Sequence, residues 1–357
     1  MGDRLDARLR AVSPFAWPAL LSRISEIDEF KGWWLGRFRA APASLGGLAK
    51  KVVVRSANSS VRVEWSGFPR HPSGSRPATP PSAPGENRPS PAHAYARLLK
   101  EVFDGYGELP LSLDLLQRMH ADLVRRSSND PAGRGAWRAG PDRSMLFPRG
   151  AVESITLRPS DPDKIPEDTE ALVRWANARL GSREFHPLLV TAGFVLEFLA
   201  IHPFAEGNGR MSRLLTNLLL LRRGYAYMPY ASLEKTIEER KAEYYLALRK
   251  SQSSMCLQRP DMTPWLAAFL DALRAQAREL RAALEGNPQE NRLSGNQAAV
   301  MGLFERHREV TNRLVAGGLN LPRETSKQVL NRLVALNLLE RIGAGRATRY
   351  RRVDQAK

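Results

Sequence analysis

Apolar residues recur at helical spacing over most of this chain. Near the amino end Leu20, Leu21, Ile24, Ile27 and Phe30 fall on one face of a helix and a shorter apolar stretch follows at Val52–Val54, so residues 1–65 read as an amino-terminal helical segment. The pattern then stops. From Ser66 to Ala92, Pro69, Pro72, Pro77, Pro80, Pro81, Pro84, Pro89 and Pro91 stand among serines and glycines. Such a composition buries too little apolar surface to order itself, which predicts a flexible insertion over 66–92. Helical spacing returns over 93–287. Leu188, Leu189, Ala192, Val195, Leu196 and Leu199 share one stripe, and Leu214, Leu215, Leu218 and Leu219 share another before Gly224 stops the helix. Two apolar helices thereby flank a short loop, 202–209. A Gly- and Arg-rich break from Gly133 to Asp163 contains the strand-like run Ser154-Ile155-Thr156-Leu157, the place for a β-hairpin. The last segment, 291–357, reads as three helices and then two short strands around Gly343-Ala344-Gly345, an α/β winged helix-turn-helix. The predicted fold is mainly α.

Composition adds three constraints. At 357 residues the chain suits two or three folded units. Its formal charge of +17 points to a polyanionic partner, and the excess is concentrated: residues 291–357 hold 13 Lys plus Arg against 5 Asp plus Glu. In that segment Thr325, Ser326, Lys327 and Gln328 open a helix as base-reading residues would, while Arg346, Arg349 and Arg351 stand where a wing meets phosphates. Charge alone does not separate DNA from a protein partner. The single cysteine, Cys256, excludes a disulfide framework and a cysteine zinc cluster, which fits a cytoplasmic setting. The start Met-Gly-Asp-Arg-Leu-Asp and the lack of any run of about 18 apolar residues predict neither signal peptide nor membrane span.

The candidate chemistry lies in the loop between the two apolar helices, His202-Pro203-Phe204-Ala205-Glu206-Gly207-Asn208-Gly209-Arg210-Met211-Ser212-Arg213. Pro203 disfavours the α conformation at His202, so the helix should end there and present the imidazole in the loop, where it can accept a proton. Gly207-Asn208-Gly209 strips side chains from the start of the next helix, leaving backbone N–H groups and the positive dipole end for an anion. Arg210 and Arg213, three positions apart on one face, suit more than one phosphate. Glu206 beside them would repel phosphates unless Mg²⁺ lay between. Together these predict a nucleotide with its magnesium, and no Gly-Lys-Ser/Thr element offers a P-loop alternative. Phe204 reads as a pin holding the loop to the core. His120, His186 and Glu197 read as structural, and Tyr244 and Tyr245 as core or as flanks of a base.

The motif resembles the signature of the Fic family, His-x-Phe-x-(Asp/Glu)-Gly-Asn-Gly-Arg-x-x-Arg, at every fixed position, and the flanks resemble that family from about Leu98 to Leu248. The resemblance implies a Fic-type helical core with a β-hairpin flap, and a nucleotidyltransferase that moves AMP from ATP, with Mg²⁺, to a Ser, Thr or Tyr hydroxyl of a target protein or of itself. It implies His202 as base, Glu206 as metal ligand, Gly207, Asn208 and Gly209 on the inner phosphates, and Arg210 and Arg213 on the outer ones. It makes Gly135-Ala136-Trp137-Arg138 and the 152–157 stretch resemble the flap that aligns a target by β-pairing. Family members carry an inhibitory helix, Ser/Thr-x-x-x-Glu-Gly/Asn. Ser60-Val61-Arg62-Val63-Glu64-Trp65 matches its serine and glutamate and departs at Trp65. Glu64 is thus an expected brake, its carboxylate pairing with the second motif arginine, Arg213. Two alternatives stand beside this: a DNA-binding transcription regulator whose Fic-like domain senses nucleotide, and an enzyme that removes AMP. The oligomeric state, a homodimer included, stays open.

Overall fold

The computed structural model describes residues 2–38, 45–65, 91–125, 132–140, 160–182, 184–255, 257, 260–285, 295–335, 338–343, 345 and 348–353. The Pro-rich stretch, the strand-like run at 154–157 and Cys256 lie outside the described residues. The chain forms two compact units, one comprising Met1–Ala40 and Gly47–Glu279, the other Ala41–Gly46 and Leu280–Lys357.

The first unit is helical. Its elements are α1 (Gly2–Arg10), α2 (Trp17–Arg37), α3 (Gly46–Trp65), α4 (Pro91–Gly105), α5 (Leu113–Val124), α6 (Ile165–Gly181), α7 (Pro187–Ile201), α8 (Asn208–Arg222), α9 (Leu233–Glu239), α10 (Lys241–Ser254) and α11 (Thr263–Glu285). Helix α7 is the axis. The spacing of its leucines predicts one apolar stripe, yet every residue from Leu188 to Leu199 is buried, because α6 and α8 pack on it directly and α1 and α10 also touch it. Its composition, apolar but for Thr191 and Glu197, fits that position. In α2 the expected face is buried at Leu20, Ile24, Ile27 and Phe30, but Leu21 is 53% exposed: the buried arc runs on through Trp34 and leaves Leu21 to one side. The stretch at Val52–Val54 is part of a 20-residue helix, α3. Helix α4 starts at Pro91, inside the stretch assigned to the insertion, where the missing proline N–H costs nothing at a helix start.

The second unit adds α12 (Gly295–Leu303), β1 (Glu309–Val310), α13 (Asn312–Gly318), α14 (Arg323–Ala335), β2 (Leu339–Ile342) and β3 (Arg349–Arg352). The sequence suggests two strands here, but the sheet has three in the order β1-β3-β2, all antiparallel. Strand β1 is only two residues long, too short to show alternation. The core gathers Val300, Val310, Val315, Val329, Leu330, Leu333, Leu338, Leu339 and Tyr350. No helix among the described residues is long and apolar enough to cross a membrane.

Candidate functional site

Helix α7 ends at Ile201, and His202 caps it in the left-handed region, φ 52° and ψ 61°. A non-glycine residue held there is strained, and the surroundings must hold it. Arg138 does so. Its backbone N–H donates to the Pro203 carbonyl at 2.8 Å, its Nε donates to the His202 carbonyl at 3.1 Å, and its other guanidinium nitrogens reach the carbonyls of Gly140 at 2.6 Å and Ser160 at 2.9 Å. A buried cation thus rests on the negative end of α7, where loose carbonyls and the helix dipole both favour it. The Gly135–Arg138 segment, which resembles part of a flap, packs against the loop in this way; the 152–157 part of that expectation lies outside the described residues.

Phe204 is fully buried and stacks on His120, with ring centroids 3.9 Å apart and 6° between planes, and on Trp137 at 5.2 Å. His120 Nδ1 accepts from the Gly135 N–H at 3.0 Å, so Nε2 carries the hydrogen and donates to the Glu206 carbonyl, also at 3.0 Å. Burial, helped by the charge of Arg210, pushes this imidazole down to about 4, and it stays neutral in its bridging tautomer. Gly135 takes φ 75°, and a Cβ there would stand 2.8 Å from the Gln117 carbonyl. The Asn208 amide turns inward: Oδ1 accepts from Phe204 N–H at 3.0 Å and Nδ2 donates to the Phe204 carbonyl at 2.7 Å. Its side chain is spent on shaping the loop, which leaves the backbone of the helix start to face an anion.

Gly207 caps α8 with φ 77°, a conformation glycine adopts without penalty. The first-turn N–H groups have no partner within the helix. Glu64 reaches them: its Oε1 accepts from the Arg210 N–H at 3.0 Å. The same carboxylate lies 2.9 Å from Arg210 Nε as an ion pair without hydrogen-bond alignment, and 3.4 Å from an Arg213 Nη. Arg213 also donates from Nε to Ser60 Oγ at 2.9 Å and to the Ser60 carbonyl at 3.0 Å. Burial opposes the charge of Arg213, but Glu64 together with the hydroxyls of Tyr95, Tyr244 and Tyr245 outweighs it, and the guanidinium sits above its ordinary range. Among the described residues, Arg210 Nη1 is buried without a hydrogen-bond partner. Glu206, by contrast, is exposed at the lip of the loop. Serine and glutamate of α3, expected from the 60–64 spacing, thus meet both arginines of the motif. The Trp65 side chain lies outside the described residues.

The remaining candidates cap helices or pack away from the loop. His186 caps α7 and meets Asp28 at 2.9 Å, Glu197 accepts from Arg8 at 2.7 Å, and Tyr244 packs edge-on against Trp265 at 4.9 Å. Tyr245, next along α10, lies within reach of the Arg213 charge. Among the described residues no group of three His, Cys, Asp or Glu gathers as a metal cluster. An exposed carboxylate, that of Glu206, just before a helix start fits Mg²⁺, which takes one or two protein carboxylates and completes its shell with phosphate oxygens and water.

Comparison with known proteins agrees with this geometry. Residues 110–220 match the family described as Fic/DOC, and this span contains the whole 202–213 motif. The chain therefore carries a Fic domain at residues 110–220. It is 43% identical over 63 residues to a protein adenylyltransferase Fic from Aedes aegypti, a stretch covering 17% of this chain and 13% of that protein. It is 35% identical over 96 residues to the protein adenylyltransferase Fic of Drosophila persimilis, covering 27% of this chain and 17% of that protein. The matches thus span under a fifth of these curated relatives. Among solved structures, a Fic family protein from Desulfovibrio desulfuricans G20 superposes with a TM-score of 0.59 at 22% identity, covering 97% of this chain and 98% of its own. A Fic domain containing signaling protein from Bacteroides thetaiotaomicron VPI-5482 does so with a TM-score of 0.55 at 16% identity, over 73% of this chain and 98% of its own. At such identity the likeness is one of fold.

Proposed function

We propose that this chain is a protein adenylyltransferase, moving AMP from Mg-ATP to a Ser, Thr or Tyr hydroxyl of a target protein, and that Glu64 restrains it. One observation carries the reading: the carboxylate of Glu64 lies against a helix start and two arginines, so the site selects an anion and the chain supplies one of its own. A triphosphate offers the same acceptors in greater number. The buried, unpartnered Nη1 of Arg210 is a donor that a phosphate oxygen would satisfy. The choice of AMP over another group is supported by the Fic domain and by the names of the relatives.

In the step itself the acceptor oxygen bonds to the α-phosphorus, the bond to the bridging oxygen breaks, pyrophosphate leaves, and the hydroxyl proton passes to His202. His202 is held at a fixed point by Arg138, as a base must be. Glu206 would hold Mg²⁺, which supplies neutralisation of phosphate charge when bound. The N–H groups of the Gly207–Gly209 turn and the two arginines orient the nucleotide. Incubation with ATP labelled at the α-phosphate tests this: Glu64→Gly should label target protein more than the unaltered chain does, and His202→Ala in that background should lower labelling by about 10²- to 10⁴-fold. Label that follows only γ-labelled ATP would replace AMP transfer with phosphoryl transfer.

A second reading concerns the smaller unit, which we propose binds duplex DNA as a winged helix-turn-helix. Glu324, Lys327, Gln328, Asn331 and Arg332 form one exposed stripe along α14, opposite the face that buries Val329, Leu330 and Leu333. Lys, Gln, Asn and Arg are the side chains that read base edges and hold phosphates in a major groove. The sheet contributes less than the sequence suggests, since Arg349 pairs with Glu309 at 3.3 Å and Arg351 with Glu340 at 2.6 Å.

A further inference from the structure

Helix α3 docks through polar groups. Ser56, Ser60 and Glu64 are spaced by four and so lie along one face, and both serines are fully buried. Each serine starts a hydrogen-bond chain, and both chains end on one carboxylate that no motif marks, Glu234 of α9, itself 1% exposed.

A guanidinium only donates, so Ser60 Oγ accepts from Arg213 Nε at 2.9 Å, which leaves its own hydrogen for the neighbouring Tyr95 oxygen. Tyr95, fully buried, then gives its hydrogen to Glu234 Oε1 at 2.7 Å. In the second chain Ser56 Oγ donates to Ser232 Oγ at 2.8 Å, and Ser232 donates to Glu234 Oε2 at 3.4 Å while it caps α9 through Lys235 N–H at 3.1 Å. Asn217 adds a third line: its Nδ2 lies 2.9 Å from Glu234 Oε1 and 3.0 Å from the carbonyl of Arg213. The carboxylate thus accepts directly from α4, from α8 and from the Ser232 cap of α9, and from α3 at one remove. Such chains polarise one another in a buried setting, so their common terminus matters more than one bond does.

We infer that Glu234 is a positioning residue that ties α3 to the Fic domain and thereby holds Glu64 against Arg210 and Arg213. The restraint itself rests on the adenylyltransferase reading; the tie does not. With Glu234 made neutral, both relays lose their anionic end, α3 loosens as a unit, and Glu64 leaves with it. Apolar burial also contributes along α3, through Val52, Ala57 and Val63, so the helix loosens without unfolding.

The test is hydrogen–deuterium exchange on the full chain, comparing the unaltered protein with Glu234→Gln, which keeps the shape and removes the charge, and with Tyr95→Phe, which cuts one relay only. Exchange within residues 47–65 should rise about tenfold in Glu234→Gln and less in Tyr95→Phe, while α7 keeps its protection. Unchanged exchange of α3 in both variants overturns the proposal, as does a rise shared equally by α7, which would be general destabilisation. A second arm uses α-labelled ATP. Glu234→Gln should raise AMP transfer, and adding it to Glu64→Gly should raise it no further. If Glu64→Gly is active and Glu234→Gln alone is not raised, the link from tie to restraint fails. If no variant transfers AMP, the adenylyltransferase reading fails and the exchange result still decides the tie.

Discussion

At the scale of single residues the loop is held by groups that touch no expected substrate. His120 is the clearest. Its folded pKa of about 4 lies below the ordinary 6.5, so the unfolded chain binds a proton more readily than the folded one over that interval. The stability this neutral imidazole contributes is complete above about pH 6.5 and is lost as pH falls towards 4, by about 3 kcal/mol in all. Melting followed by circular dichroism from pH 7 to 4 should therefore fall more steeply for the unaltered chain than for His120→Gln. Equal slopes would remove His120 from the account. Arg138 makes a different prediction. Arg138→Lys keeps the charge but loses the fork that reaches four carbonyls, and it should raise KM for ATP and lower stability by about 1–3 kcal/mol, measured by nucleotide titration and urea unfolding.

Among elements, legibility follows distance along the chain. The motif from His202 to Arg213 is contiguous, so its histidine, its glycines and its two arginines could be read as one site. The helix boundaries around it were equally legible, because Pro203 and Gly224 punctuate them where the structure ends α7 and α8. Glu64 was legible only through a family pattern, as Ser-x-x-x-Glu alone is a common helix spacing. His120 lies 86 positions from the carbonyl it bonds, Arg138 lies 64 from His202, and Tyr95 lies 139 from Glu234. Nothing local marks such partners: a lone histidine before an alanine, or a glutamate in a short capped helix, looks like ordinary surface until tertiary packing assembles it. The all-round burial of α7 was missed for a related reason, since a stripe is visible in sequence but the number of neighbouring helices is not. Backbone offers its own check. Gly135→Ala must shift a carbonyl 2.8 Å away and hold φ 75°, and it should loosen His120 and lower the melting temperature by several degrees, whereas Gly140→Ala, with open space around it, should cost little.

For the molecule as a whole, charge is divided unevenly, and this sets the last test. The chain carries +17, and the residues of 291–357 contribute 13 Lys plus Arg against 5 Asp plus Glu. In the sheet Arg349 pairs across strands with Glu309 and Arg351 with Glu340, whereas the stripe on α14 stands exposed to meet a partner. Lys327 and Arg332 stand there with Gln328 and Asn331 between them and one acid, Glu324, at the helix start. If duplex DNA is the partner, each cation that meets a phosphate releases a counterion, and affinity falls linearly in the logarithm of salt concentration. Lys327→Ala or Arg332→Ala should then weaken binding across sequences and reduce that slope by about 1 each, whereas Gln328→Ala should change sequence preference and leave the slope alone. Gel shifts at several salt concentrations measure both quantities. A slope indifferent to Lys327 and Arg332 would move the partner of this stripe from nucleic acid to protein.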